Sequence, residues 1–231
     1  MARLDVELRR LDDAVLGQSA RVEDAVRRAV RALSRRDAAE ARAVAAADRD
    51  LDRREAEIEE ECLKIIALHQ PVAGPLRHLI GVVKMNLSLE RTGDLAVHLA
   101  RKARTLAALP PVAEPPELAP MAERAVQTLH EVISAFVARD AAAARAVASR
   151  DKDAERRKRA VRLACEAALQ ARPDQARQQM AILGAARNLE RVAGMGVYLS
   201  RCVAYALEGD FDPPGGDGGD GPPWDDTSSE E

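Results

Sequence analysis

Apolar residues recur along this chain at steps of three, four and seven, the period of an amphipathic helix with one buried face. The first stripe, Leu4, Leu8, Leu11, Val15, Val22, Val26, Val30 and Leu33, predicts a helix over roughly 3–34. A second, Val44, Leu51, Ile58, Cys62 and Ile65, predicts a helix from about Asp37 to Leu68. The break falls at HQPVAGPLR (69–77), where Pro71 disfavours helix at Gln70 and Gly74–Pro75 suit an irregular connection or a helix first turn. A third helix is expected over about 76–108 on Leu76, Ile80, Val83, Leu87 and Val97. The five prolines of PPVAEPPELAP (110–120) mark a connection. Three more helices follow over about 117–138, 140–171 and 174–208, the last two parted at Pro173–Asp174.

The six helices are two sets of three. RDAAEARAVA (36–45) returns as RDAAAARAVA (139–148), nine of ten letters at an offset of 103, and NLSLERTGDLAV (86–97) faces ARNLERVAGMGV (186–197) at an offset of 100. A unit of about 100 residues exceeds the period of solenoid repeats and matches a small domain. The predicted fold is all-α: two tandem three-helix bundles of long antiparallel helices, with a first repeat at 1–109, a Pro-rich connection at 110–120, a second repeat at 117–208 and a disordered tail at 209–231. A single array of six helices is the alternative arrangement of the same elements.

Composition narrows the class. Aromatic residues make up 2% of the chain and charged residues 32%, a mix that suits helices rather than sheets. The net charge of −3 conceals an uneven distribution, because residues 209–231 hold eight acids and no base, which leaves 35 basic and 30 acidic residues in the body. That mild basic excess, spread over alternating charges, reads as a solvated surface without a nucleic-acid motif. No 18-residue apolar run exists, so no transmembrane segment is expected, and the N-terminus lacks the apolar core of a signal peptide. The cytoplasm is the expected compartment. Cys62, Cys165 and Cys202 lack metal-site spacing and read as buried thiols. His69 and His78 flank the break between the second and third helices, and His130 reads as a surface residue.

The candidate chemistry lies in carboxylates. Continuing the third stripe past Leu87 leads to Glu90 and Asp94, acids four apart and one turn from each other. On the second helix Asp48 lies on the stripe and Asp52 beside it, with Glu55 further along. Antiparallel neighbours joined by a short loop should bring the pairs Asp48/Asp52 and Glu90/Asp94 level, near the bundle interior. Clustered carboxylates are costly unless a cation is present, and an oxygen-only set suits a hard ion such as magnesium, calcium, manganese or iron. Pairing with the abundant arginines is the competing reading. His98, one further turn past Asp94, could extend the group. In the second repeat the equivalents are Asp151, Glu155 and Glu190, and Gly194 replaces the fourth acid, so that site should be the weaker.

Three strings here, D-x-x-L-D-x-x-E-x-x-I-E (48–59), CLKIIALHQPVAGPLR (62–77) and LERTGD (89–94), resemble the PhoU family of phosphate-uptake regulators, and the likeness extends over about residues 5–208. The resemblance implies two three-helix bundles, a homodimer, and acid-x-x-x-Asp motifs that hold divalent or trivalent metal ions: iron, manganese or magnesium. Carried over, those motifs are Asp48/Asp52 and Glu90/Asp94, with Asp151, Glu155 and Glu190 in the second repeat and Gly194 departing from the family's Asp. His98 stands where the family often has Asn. The implied role is non-catalytic: negative regulation of the phosphate ABC transporter and of the phosphate-starvation response. The implied partners are the transporter's ATPase subunit and a membrane sensor histidine kinase, reached at the inner face of the membrane. The alternatives are a helical scaffold without metal and a carboxylate-bridged di-metal enzyme. The second uses Glu-x-x-His on paired helices, a spacing the chain does not contain.

Overall fold

The computed structural model describes residues 2–148 and 154–209. Among these, every regular element is helical: α1 Ala2–Arg35, α2 Ala38–His69, α3 Ala73–Ala107, α4 Leu118–Val137, α5 Ala141–Ala148, α6 Ala154–Ala171 and α7 Ala176–Glu208, with a 3₁₀ turn at Pro173–Gln175. The expected fifth helix over 140–171 is thus described as α5 and α6. Asp151 and the acidic tail lie outside the described residues.

The most faithful copy in the sequence is a turn. Arg36 and Arg139 both adopt left-handed backbone, with φ of 51° and 53°. The following amides close each helix end, Asp37 N–H donating to the Ala32 carbonyl and Asp140 N–H to the Ala135 carbonyl, both at 2.9 Å. The same aspartates then open the next helix. Asp37 Oδ1 accepts from the Ala39 and Glu40 amides at 2.9 and 3.0 Å, and Asp140 Oδ1 from the Ala143 amide at 2.9 Å. The repeated Arg-Asp therefore reverses the chain within two residues in each half.

Each half is a three-helix bundle, α1–α2–α3 and α4–α5/α6–α7, and the two join chiefly through α3 against α7, with α1 against α4 beside that seam. The helices α3 and α7 run antiparallel. A Cβ on Gly81 would lie 2.5 Å from Ala206 Cβ, and one on Gly184 would lie 2.6 Å from Lys102 Cε. Glycine at 81 lets the two backbones approach, since any larger residue would strike Ala206 Cα at 2.8 Å. Residues 78–90 and 178–190 pass through the same order of buried, half-buried and exposed positions, so the offset of 100 is a structural equivalence.

The third stripe is out of phase with the structure. Ile80 and Leu87 are exposed, at 37% and 40%, whereas Leu79, Val82, Met85 and Leu89 are the fully buried positions. The reason is that α3 is central: it packs on α1, α2 and α7, so it buries several faces, and Gly81, Asn86, Ser88, Thr92 and Gly93 serve as core beside Leu and Val. The stripe that leads to Glu90 and Asp94 is the outer flank of α3. In α2, by contrast, Val44, Leu51, Ile58, Cys62 and Ile65 are all buried as expected. The three cysteines are free and buried, and burial pushes the Cys62 thiol up to about 12.

Candidate metal centre

Two amide side chains set the level at which α2 crosses its neighbours. Gln18 of α1 donates Nε2–H to the Leu51 carbonyl at 3.0 Å, and Asn86 of α3 donates Nδ2–H to the Glu55 carbonyl at 2.8 Å. Both amides are nearly fully buried, and both point at one turn of α2. This register brings the acids of α2 and α3 alongside one another. Asp48 stands near Asp52 and Asp94, while Glu90 stands near Asp94, Glu55 and Asp52.

The acids occupy the rim between α2 and α3, and their expected place near the bundle interior is corrected by this geometry. Asp48, Glu55 and Glu90 are half-buried, and Asp52, Asp94 and His98 are exposed. The half-buried members carry the electrostatic strain. Desolvation, then Asp94 and Glu55, pushes the Glu90 carboxyl up to about 6. Desolvation, then Asp52 and Asp94, raises Asp48, with Arg101 and His98 offsetting part of the repulsion. Desolvation, then Glu59 and Asp52, raises Glu55. Glu55 therefore belongs with the four acids of the sequence motifs. The signal for it was its place seven residues after Asp48 on the same helix face. Among the described residues, no three His, Cys, Asp or Glu side chains converge as they stand on a point where an ion would sit.

The second repeat is built differently. Lys158 Nζ lies 2.8 Å from Glu155 Oε2 and 2.6 Å from Glu190 Oε1, so one ammonium joins an acid of α6 to an acid of α7. By the offset of 103, Lys158 is the counterpart of Glu55. Gly194 contributes no side chain, and Asp151 lies outside the described residues.

The remaining histidines serve α1. His69 Nε2 lies 2.7 Å from Glu7 Oε2, His78 Nε2 lies 2.6 Å from Asp12 Oδ1, and His130 Nδ1 lies 3.1 Å from Glu23 Oε1. Arg139 reaches the other oxygen of Asp12 at 3.1 Å, which links the α4–α5 turn to α1. These residues hold helices together and stand apart from the acid rim. Beside His78 and Arg139 lies an open cavity of about 360 Å³, at the end of the molecule where α1, α3 and α7 meet.

Comparison with known proteins agrees with the duplicated architecture. The PhoU domain model matches residues 16–103 and again 118–203. The chain is 30% identical over 205 residues to the phosphate-specific transport system accessory protein PhoU homolog of Caulobacter vibrioides, covering 88% of this chain and 89% of that protein. It is 32% identical over 149 residues to the Aquifex aeolicus homolog, covering 64% and 67%. The crystal structure of PhoU from Pseudomonas aeruginosa superposes with a TM-score of 0.83 at 30% identity, covering 89% of this chain and 99% of that one. The phosphate transport system regulatory protein PhoU from Streptococcus pneumoniae shares the fold, with a TM-score of 0.81 at 23% identity. With both halves matched by the family model and a relative at 30% identity over most of its length, this chain belongs to the PhoU family.

Proposed function

We propose that this protein is a non-catalytic regulator of phosphate homeostasis, which restrains uptake by a phosphate ABC transporter and damps the phosphate-starvation response. The observation that carries this reading is the match over 88% of the chain, with the family model found in both repeats, to relatives named as accessory proteins of the phosphate-specific transport system. Its partners are then the transporter's ATPase subunit and a membrane sensor histidine kinase, met at the inner membrane face by a homodimer in the cytoplasm. Among the described residues no helix is long and apolar enough to cross a membrane, which suits a protein that reaches the membrane through partners. Phosphate uptake by cells lacking the protein tests this reading: uptake that stays high when phosphate is plentiful, and falls on restoring the gene, supports it. Uptake identical with and without the protein rejects it.

The first-repeat acids form the metal-binding part of this proposal. Asp48, Asp52, Glu90 and Asp94, with Glu55 added by the structure, fit a hard divalent or trivalent ion such as iron, manganese or magnesium in donor chemistry. What supports the fit is the raised carboxyls of Asp48, Glu55 and Glu90, pushed up by burial first and then by neighbouring acids, a cost that a cation would relieve. Since no three of these groups converge as they stand, holding an ion requires them to turn toward one another from the rim. The ion would neutralise the rim and tie α2 to α3.

A further inference from the structure

The two repeats share one three-helix architecture but carry opposite charge at the position of Glu55. Where α2 carries Glu55, α6 carries Lys158, and the ammonium lies between the carboxylates of Glu155 and Glu190 at 2.8 and 2.6 Å. The contact to the exposed Glu155, three residues away on the same helix, contributes little. The contact to Glu190 is of another kind, because it crosses from α6 to α7 and ends on a half-buried carboxylate, at the counterpart of Glu90. In the first repeat, Glu90 instead has Glu55, Asp52 and Asp94 around it.

We propose that Lys158 is the resident cation of the second repeat: its ammonium holds the acids of α6 and α7 together, and this half of the protein takes no metal. The proposal rests on the reading that the first-repeat acids bind an ion, and it narrows that reading to one site per chain. Three features of the chain act in the same direction. A positive charge already sits between the two acids and repels an incoming cation. The lysine takes the place of a carboxylate, so the donor set is short by one. Gly194 removes another, leaving Glu190 as the one α7 acid of the motif. The duplicated fold thus carries one metal-dependent seam and one metal-independent seam.

Melting temperature, measured in chelator and in millimolar manganese, tests this on wild type, on an Asp48→Ala, Asp94→Ala variant, and on Lys158→Glu in that double-variant background. With the first site cut to three acids, Lys158→Glu, which gives the second repeat four, is expected to lower the midpoint in chelator by roughly 2–4 °C, and manganese is expected to restore most of that loss. A triple variant as stable as the Asp48→Ala, Asp94→Ala protein would overturn the proposal. A deficit that manganese leaves unchanged would overturn it equally, since the lysine would then not be standing in for an ion. The first-site reading is judged separately, from the manganese response of wild type against that of the Asp48→Ala, Asp94→Ala variant. A missing response there counts against that reading and leaves the Lys158 comparison readable on its own.

Discussion

Asn86 donates a hydrogen bond from α3 to the backbone carbonyl of Glu55 in α2, at 2.8 Å and almost wholly buried. This single contact couples the packing of the first bundle to its acid rim, because it sets the height at which Glu55 and Glu90 face each other. Asn86→Ala should therefore cost about 1–3 kcal/mol in chemical denaturation, through the lost bond and the space it leaves. The same variant should weaken manganese binding although residue 86 is no ligand. Unchanged affinity in a destabilised variant would show that the rim does not depend on this register.

The seam between repeats depends on Gly81. A side chain there meets Ala206 Cβ at 2.5 Å and Cα at 2.8 Å, so Gly81→Val must push α3 and α7 apart. Overpacking of this kind costs about 1–3 kcal/mol. Gly74→Ala, where a Cβ would meet nothing within 4 Å, is the control and should be close to neutral. Denaturant midpoints for the two variants make the comparison.

Both chain reversals depend on an aspartate cap. Asp37→Ala and Asp140→Ala each remove hydrogen bonds to helix-opening amides, two described bonds at 2.9 and 3.0 Å in the first case and one at 2.9 Å in the second. Each should destabilise by about 1 kcal/mol, read as a shift in denaturation midpoint.

Stability without metal should depend on pH through Glu90. Its carboxyl is pushed up to about 6 in the folded protein from 4.5, by burial first and then by Asp94 and Glu55. The folded state therefore holds the proton more tightly than the unfolded chain does. Below pH 4.5 both states are protonated and there is no penalty; the penalty grows as pH rises through about 6 and is constant above it. In chelator, Glu90→Gln should thus melt higher than wild type at pH 7.5, with the gap closing as pH falls below about 4.5. Wild type melting above the variant in chelator at pH 7.5 would contradict the assignment.

Much of this architecture is visible in the residues. The α1 and α2 boundaries fall within a residue or two of the expected ones, because the RDAA string encodes a left-handed turn and a cap, and because each helix buries one clear stripe. The phase of α3 was not visible. A helix packed on three neighbours has no single apolar stripe, and its core positions include Gly81, Asn86, Ser88 and Thr92, which a hydrophobic pattern passes over. Helical periodicity places the acids of α2 and α3 inside, whereas they stand on the rim. Glu55 lies outside the acid-x-x-x-acid motifs although it shares a face with Asp48. Lys158 is legible at the repeat offset of 103 from Glu55, among the residues between the motifs.

Elemental analysis of the purified protein decides whether the first-repeat acid rim holds a hard metal ion. Wild type and an Asp48→Ala, Asp94→Ala variant are compared after identical purification. Iron, manganese or magnesium should be bound stoichiometrically to wild type and lost from the variant. No bound metal in either protein, or equal metal in both, would contradict it.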